Sequence, residues 1–350
     1  MIKQRLHHFD VIKGIAILLV VMGHVLIMGI HHLDKAFLFK LIDKLHMPLF
    51  FFISGYFTFK KRESKVVLPN LWARFKQLII PFICVSSLWI LYFPHSGLES
   101  PLNSTFIGLY SDVWKNGYWF TLCLFELILI YYLCVGISNK INNIYICLTL
   151  FIASYTALAI ICNVYDDIII NYLSIELVVK FMPVFMLGAL AHKYKEKFDN
   201  ITSNNTIFTL TILIGSITIY YACYFWEFPE SLTQFEILFT ILCQISLIVI
   251  VFNVIKPWCQ AEFDREKPSW IIRQLQLIGR ESLAIYLLHY FFLFPMTWLR
   301  QPMINMGLGF TPLIVVSLLT AIVIITLTLG VSHIISKSKS FSLLLLGKIQ

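Results

Sequence analysis

FDVIKGIAILLVVMGHVLIMGI, residues 9–30, decides the fold: it is a run of 22 residues whose polar side chains are Asp10, Lys13 and His24. As a helix rising about 1.5 Å per residue it reaches about 33 Å, enough to cross the roughly 30 Å hydrocarbon core of a bilayer. Lys3 and Arg5 precede it, as basic residues precede the apolar part of a signal peptide. The run ends without a small-x-small cleavage pattern, so it reads as a retained first span.

Outward from that span the chain repeats the pattern. Windows of about 20 residues pick out ten candidate spans: 9–30, 38–59, 69–93, 117–138, 143–164, 174–193, 205–226, 233–256, 273–297 and 312–335. Composition agrees, with 59% apolar residues, 13% charged and a mean hydropathy of +0.80. A water-soluble fold of 350 residues needs more polar surface than this. The expected fold is all-α, a polytopic bundle of about ten transmembrane helices. The gaps between spans leave no room for an appended soluble domain, so residues 1–350 read as a single transmembrane domain.

Orientation follows from charge, because Lys and Arg gather on the cytoplasmic side. With the N-terminus inside, the inner segments hold Lys3, Arg5, Lys60, Lys61, Arg62, Lys65, Lys140, Lys193, Lys195, Lys197, Lys256, Arg265, Lys267, Arg273, Lys337, Lys339 and Lys348. The outer segments hold Lys35, Lys115 and Arg300. Seventeen against three predicts that both termini are cytoplasmic. The net charge of +8 is thus spread in short clusters between apolar segments, a pattern that argues against nucleic-acid binding. Seven of the eight cysteines lie within or at the end of apolar segments, with no C-x-x-C pair, and read as small core residues rather than disulfides or metal ligands. The longest outer connection, near Pro94 to Asn116, reads as an interfacial loop or as a re-entrant cover.

Seven basic residues remain within the spans: Lys13, Lys40, Lys44, Arg74, Lys76, Lys180 and Arg280. Snorkelling toward headgroups accounts for those near span ends. Lys13, Arg74, Lys76 and Arg280 all fall toward the cytoplasmic ends of their spans, where a cation cluster suits an anionic ligand. His24 is different, lying about 22 Å into the first span. A lone buried imidazole is usually a satisfied structural donor. Yet His46, Glu126 and His289 fall at similar depth on other spans, which suggests a shared polar cavity. Eleven residues separate Lys13 from His24, about 16 Å along a helix and a gap that an elongated ligand spans.

These residues sit in segments that resemble acyltransferase family 3, the membrane O-acyltransferases. FDVIKGIAILLVVMGH resembles the family's opening segment, in which an Arg precedes a catalytic His by ten intervening residues; here the positions hold Lys13 and His24. In order follow HMPLFFFISGYF from His46, RFKQLIIPF from Arg74, YWF from Tyr118, FMPVFMLGAL from Phe181 and GRESLAIYLLH ending at His289. Two positions depart from the pattern: Lys13 replaces the Arg, and Gln77 stands where a second basic residue often follows Arg74.

The resemblance implies transfer of an acetyl or similar group from acyl-coenzyme A, on the cytoplasmic side, to a hydroxyl of a cell-surface or lipid-linked carbohydrate. It implies no permanently bound cofactor and no metal, and a multi-pass location in a cell membrane such as the bacterial cytoplasmic membrane. His24 is then the expected general base, with Glu126 either orienting an imidazole or sitting as a neutral buried acid. Lys13, Arg74, Lys76 and Arg280 are the expected donor-binding cations. His46, Ser54, Trp119 and His289 are the expected lining of the substrate cavity. An acyl-His intermediate is a variant of the mechanism. The rival from another class is a transporter or flippase of a glycan precursor, since transporters also build polar cavities between helices. No internal repeat or pair of matching broken helices supports it.

Overall fold

The computed structural model describes residues 6–30, 33, 36–59, 67–98, 106–141, 144–164, 168–224, 236–264, 268–307 and 309–349, and the regular structure among them is helical. Of the basic residues behind the orientation, Lys3, Arg5, Lys35, Lys60, Lys61, Arg62, Lys65, Arg265 and Lys267 lie outside the described residues. The helices are α1 (His7–His24), α2 (Phe37–Thr58), α3 (Val67–Tyr92), α4 (Phe106–Ser111), α5 (Trp119–Ile141), α6 (Ile144–Val164), α7 (Ile168–Tyr172) and α8 (Ile175–Lys193). They continue as α9 (Lys195–Ile201), α10 (Asn205–Tyr224), α11 (Glu236–Phe263), α12 (Trp270–Arg280), α13 (Ser282–Leu288), α14 (Arg300–Asn305), α15 (Phe310–Ile335) and α16 (Lys339–Leu346).

Seven helices among the described residues are long and apolar enough to cross a bilayer unaided. An eighth candidate is a bent pair, Ser282–Phe292 with Thr297–Asn305, which meet at 86°. The chain is a multi-pass membrane protein. Helix α2 is also 22 residues long, but Lys40, Asp43, Lys44 and His46 make its first half polar. It packs against α1 and α8, and within it Lys44 lies 3.7 Å from Asp43 and His46 donates to the carbonyl of Ile42. Helices such as α6 and α15 instead turn Ile152 and Ile160, or Leu319, Ile322 and Val323, outward to the lipid. Pro48, Pro81, Pro183 and Pro257 lie inside helices, which neighbouring helices tolerate at membrane depth.

The ninth expected span differs most from its reading. Between 273 and 297 the chain does not form one helix: α12 ends at Arg280, Glu281 breaks the register, and α13 runs only to Leu288 before a 3-10 turn, His289–Phe292. The physical reason lies in α12, which is amphipathic, with Arg273, Gln274, Gln276 and Arg280 among its apolar residues. A hydropathy window averages that polar helix with the apolar segment behind it.

Two close crossings hold the centre. A Cβ placed on Gly14 of α1 would lie 2.1 Å from the carbonyl oxygen of Leu275, and one on Gly279 of α12 would lie 1.8 Å from that of Asp10. Helices α2 and α8 repeat the device: Gly55 meets the carbonyl of Phe185, and Gly188 that of Phe52, each at 1.9 Å. Small residues let backbones approach this closely where lipid provides no hydrophobic drive between helices. Helix α1 is thereby enclosed, with Val11, Ile12, Ala16, Ile17 and Val21 fully buried.

Candidate active site

His24 closes α1 at the point where the helix widens into a π turn, Val25–Gly29. Such widened turns recur at functional sites. His289 caps the short α13, 265 positions away in the chain. The break at Glu281 and the 3-10 turn after α13 carry it to α1, and the amide of Met296 ties the following segment to the carbonyl of Gly29 at 2.7 Å.

The proton positions follow from the partners. Nδ1 of His289 lies 2.9 Å from the carbonyl oxygen of Ile285 and 2.8 Å from that of Tyr286. Both are acceptors, so Nδ1 carries the hydrogen and donates it, and Nε2 of the neutral ring is an acceptor. His24 Nδ1, 2.8 Å away, donates to that Nε2. The lone pair of His24 is therefore on Nε2, where the hydroxyl of Tyr290 donates to it at 3.0 Å. The two imidazoles lie edge to edge and nearly coplanar, with centroids 5.0 Å apart and an interplanar angle of 16°.

Beside this pair the loop before α5 forms a cover. Lys115, Asn116 and Gly117 all have positive φ, of 49°, 51° and 89°. The left-handed path turns Lys115 inward, and its buried ammonium donates to the carbonyls of Asp112 and, at 2.6 Å, Asn171. Burial lowers its pKa from 10.5 to about 8, while the charges of Asp112 and Glu126 act in the opposite direction. Ser174, also left-handed, donates to the carbonyl of Val113 at 2.8 Å. The loop is thus pinned to the segment before α8, and it presents the carbonyl of Gly117 to the Tyr286 hydroxyl at 2.7 Å. The described end of this connection is buried at Lys115 and Asn116, and residues 99–105 lie outside the described residues.

A cavity of about 190 Å³ runs along α1, lined by Lys13, Ile17 and Val20 from one face of that helix. Ser54 and Thr58 of α2, Arg74 and Gln77 of α3, and Ser282 of α13 supply its other polar groups. The stripe 13, 17, 20 continues to position 24, so His24 follows one turn beyond the lining, about 6 Å further on. Phe120 and Tyr286 line the wall as well.

The expected site residues separate into groups. Lys13 and Arg74 share the cavity; Lys13 Nζ lies 2.9 Å from Asp10, and Arg74 Nη1 donates to Gln77 at 2.6 Å. Lys76 lies over the Trp72 ring, 5.9 Å from its centroid, and the exposed Arg280 donates to the carbonyl of Gln276 at 3.2 Å; neither lines the cavity. Ser54 is in the wall. His46 donates to the carbonyl of Ile42 in its own helix at 2.5 Å. Trp119 stacks on Phe181 at 5.4 Å, with Trp114 edge-on at 5.8 Å. Glu126 lies in α5 with Oε2 buried and, among the described residues, without a hydrogen-bond partner, and the group that orients His24 in this structure is His289. Sequence reasoning missed Tyr290. Its signal was a polar-tipped aromatic immediately after an intramembrane histidine, just past the end of the recognised motif.

The acyltransferase domain family matches residues 6–333. The chain belongs to acyltransferase family 3. The family match takes in both histidines, the cavity and the cover loop, and it ends before α16. Among curated proteins this family 3 chain is similar to nodulation protein NolL of Mesorhizobium japonicum, with 36% identity over 118 residues, or 30% of this chain and 32% of that protein. It is also similar to nodulation protein NolL of Sinorhizobium fredii, with 34% identity over 118 residues and the same shares of the two chains. The chain thus spans about a third of the length of these relatives. No solved structure matches it.

Proposed function

We propose that this family 3 protein moves an acetyl or similar acyl group from acyl-coenzyme A to a hydroxyl of a cell-surface or lipid-linked carbohydrate, with His24 as the general base. The single observation that carries the reading is the hydrogen-bond order around His24, which leaves its Nε2 as the basic nitrogen. A sugar hydroxyl is a poor nucleophile at neutral pH, and a positioned imidazole removes its proton as the oxygen attacks the thioester carbonyl. His289 fixes the tautomer and shares the charge that develops on His24.

The donor fits the cavity in kind. Lys13 and Arg74 offer charge-assisted hydrogen bonds to phosphates, and Ser54, Thr58 and Gln77 offer partners to the amides of a pantetheine arm. The thioester would then be delivered along the α1 stripe toward His24. On the charge-derived orientation the cation end faces the cytoplasm, which supplies acyl-coenzyme A, and the cell membrane that fits is the bacterial cytoplasmic membrane.

The test is transfer of label from acetyl-coenzyme A to glycan by purified protein in lipid nanodiscs, comparing wild type with His24→Gln. The expected result is acetylated glycan with wild type and a loss of about 10² to 10⁴ in rate with the variant. Undiminished transfer by His24→Gln would overturn the base assignment.

A further inference from the structure

We propose that Tyr290 is a catalytic residue: its phenol takes the proton from the acceptor hydroxyl while passing its own proton to His24. This inference rests on the acyl-transfer reading and adds a second proton carrier to it.

The starting point is that the lone pair of the base is already occupied. His24 Nε2 accepts a hydrogen bond from Tyr290 at 3.0 Å, and the tautomer order set by His289 leaves no other nitrogen on His24 to serve. An acceptor that reaches Nε2 directly must first displace the phenol. The surroundings oppose that displacement. The Tyr290 ring is fully buried between His289, with centroids 4.1 Å apart, and Tyr118 and Trp89, at 5.0 and 5.6 Å. Its hydroxyl abuts the cover loop so closely that a Cβ on Gly117 would lie 1.8 Å from Oη. Gly117 has φ +89°, a conformation that suits glycine, and the loop around it is pinned through Lys115 and Ser174.

A phenol that stays in place also has the means to relay. Its oxygen donates one hydrogen bond and keeps lone pairs for another, and among the described residues His24 is its hydrogen-bond partner. The relay requires the acceptor hydroxyl to reach that oxygen on the side that neither His24 nor Gly117 occupies. As the acceptor oxygen bonds to the thioester carbonyl carbon, its proton moves to Tyr290 Oη and the original phenolic proton moves to His24 Nε2. The C–S bond breaks as the tetrahedral intermediate collapses. The proton on His24 returns through Oη to the departing thiolate, so ester and thiol are the products and both residues end as they began.

Tyr290→Phe keeps the ring and removes the hydroxyl. With labelled acetyl-coenzyme A as donor and glycan extracted from the source cells as acceptor, kcat is expected to fall about 10²-fold or more, the scale of one proton-transfer group. Donor KM and the melting temperature should stay near wild type, which a merely structural role would not produce. In mixtures of light and heavy water, wild type should show a curved dependence of rate on deuterium fraction, from two protons in flight, and Tyr290→Phe a linear one. If Tyr290→Phe retains or gains turnover while His24→Gln is inactive, the phenol is a plug that moves aside and the relay is overturned, with the base assignment intact. If His24→Gln is itself active, both fall.

Discussion

His24 Nδ1 and His289 Nε2 lie 2.8 Å apart, and this contact between residues 265 positions apart sets which nitrogen of His24 is basic. His289→Ala removes the acceptor and frees the His24 ring to rotate or change tautomer. Turnover should fall by about 10- to 100-fold, taking the scale known for partners that orient metal-bound imidazoles. Donor affinity should be unchanged. A smaller loss in His289→Ala than in His24→Gln is part of the expectation, and steady-state kinetics with saturating acetyl-coenzyme A reads both.

The cations sort by whether they share the cavity. Arg74→Ala and Lys13→Ala should each weaken acyl-coenzyme A binding by about 1–3 kcal/mol, the scale of a hydrogen bond to a charged group. Lys76→Ala, over the Trp72 ring, and Arg280→Ala, exposed at the end of α12, should leave affinity within about twofold on the same scale. Isothermal titration in detergent decides the matter: equal losses for all four would show that sharing the cavity does not select the phosphate-binding cations.

Much of this was legible in the chain, for reasons that also explain what was not. Lipid rewards apolar length, so α1, α3, α11 and α15 announce themselves by composition. The break at Glu281 escaped notice because an amphipathic helix and an apolar one share a window. Arg74 and Lys76 looked equivalent because depth along a helix is readable from sequence. Direction around it separates them, since residues two apart do not face the same way. Glu126 matched the histidines in depth, yet depth cannot reveal that His289 is the group beside His24.

The glycine crossings predict where a single methyl group is intolerable. Gly14→Ala, Gly279→Ala, Gly55→Ala and Gly188→Ala drive a Cβ into a main-chain carbonyl, which has no rotamer with which to yield. Each should cost about 1–3 kcal/mol, the usual scale of overpacking. Gly136→Ala and Gly330→Ala meet nothing within 4 Å among the described residues and sit in helices, so they should be neutral or stabilise by up to about 1 kcal/mol. Thermal melting by size-exclusion chromatography separates the two sets.

Lys115 gives the cover loop a pH signature. Its native pKa of about 8 lies below the ordinary 10.5, so between those values the unfolded chain holds a proton that the native state has released. Stability from this group therefore rises with pH from about 8 to 10.5 and is flat below that window. Lys115→Met should abolish that rise. A melting temperature whose pH dependence is the same in wild type and Lys115→Met would show that this ammonium is not the titrating group.

The backbone-to-backbone crossings also divide the molecule mechanically. Where Gly14 and Gly279 meet opposing carbonyls, α1 and α12 pack backbone against backbone, and so do α2 and α8. Both histidines are mounted beyond these fixed points, His24 at the mouth of a widened turn and His289 past a broken helix. The bundle thus resembles a clamp with rigid jaws and compliant tips. The jaws keep the cavity along α1 in register, and whatever small adjustment each catalytic cycle requires falls to the few residues that hold the imidazoles.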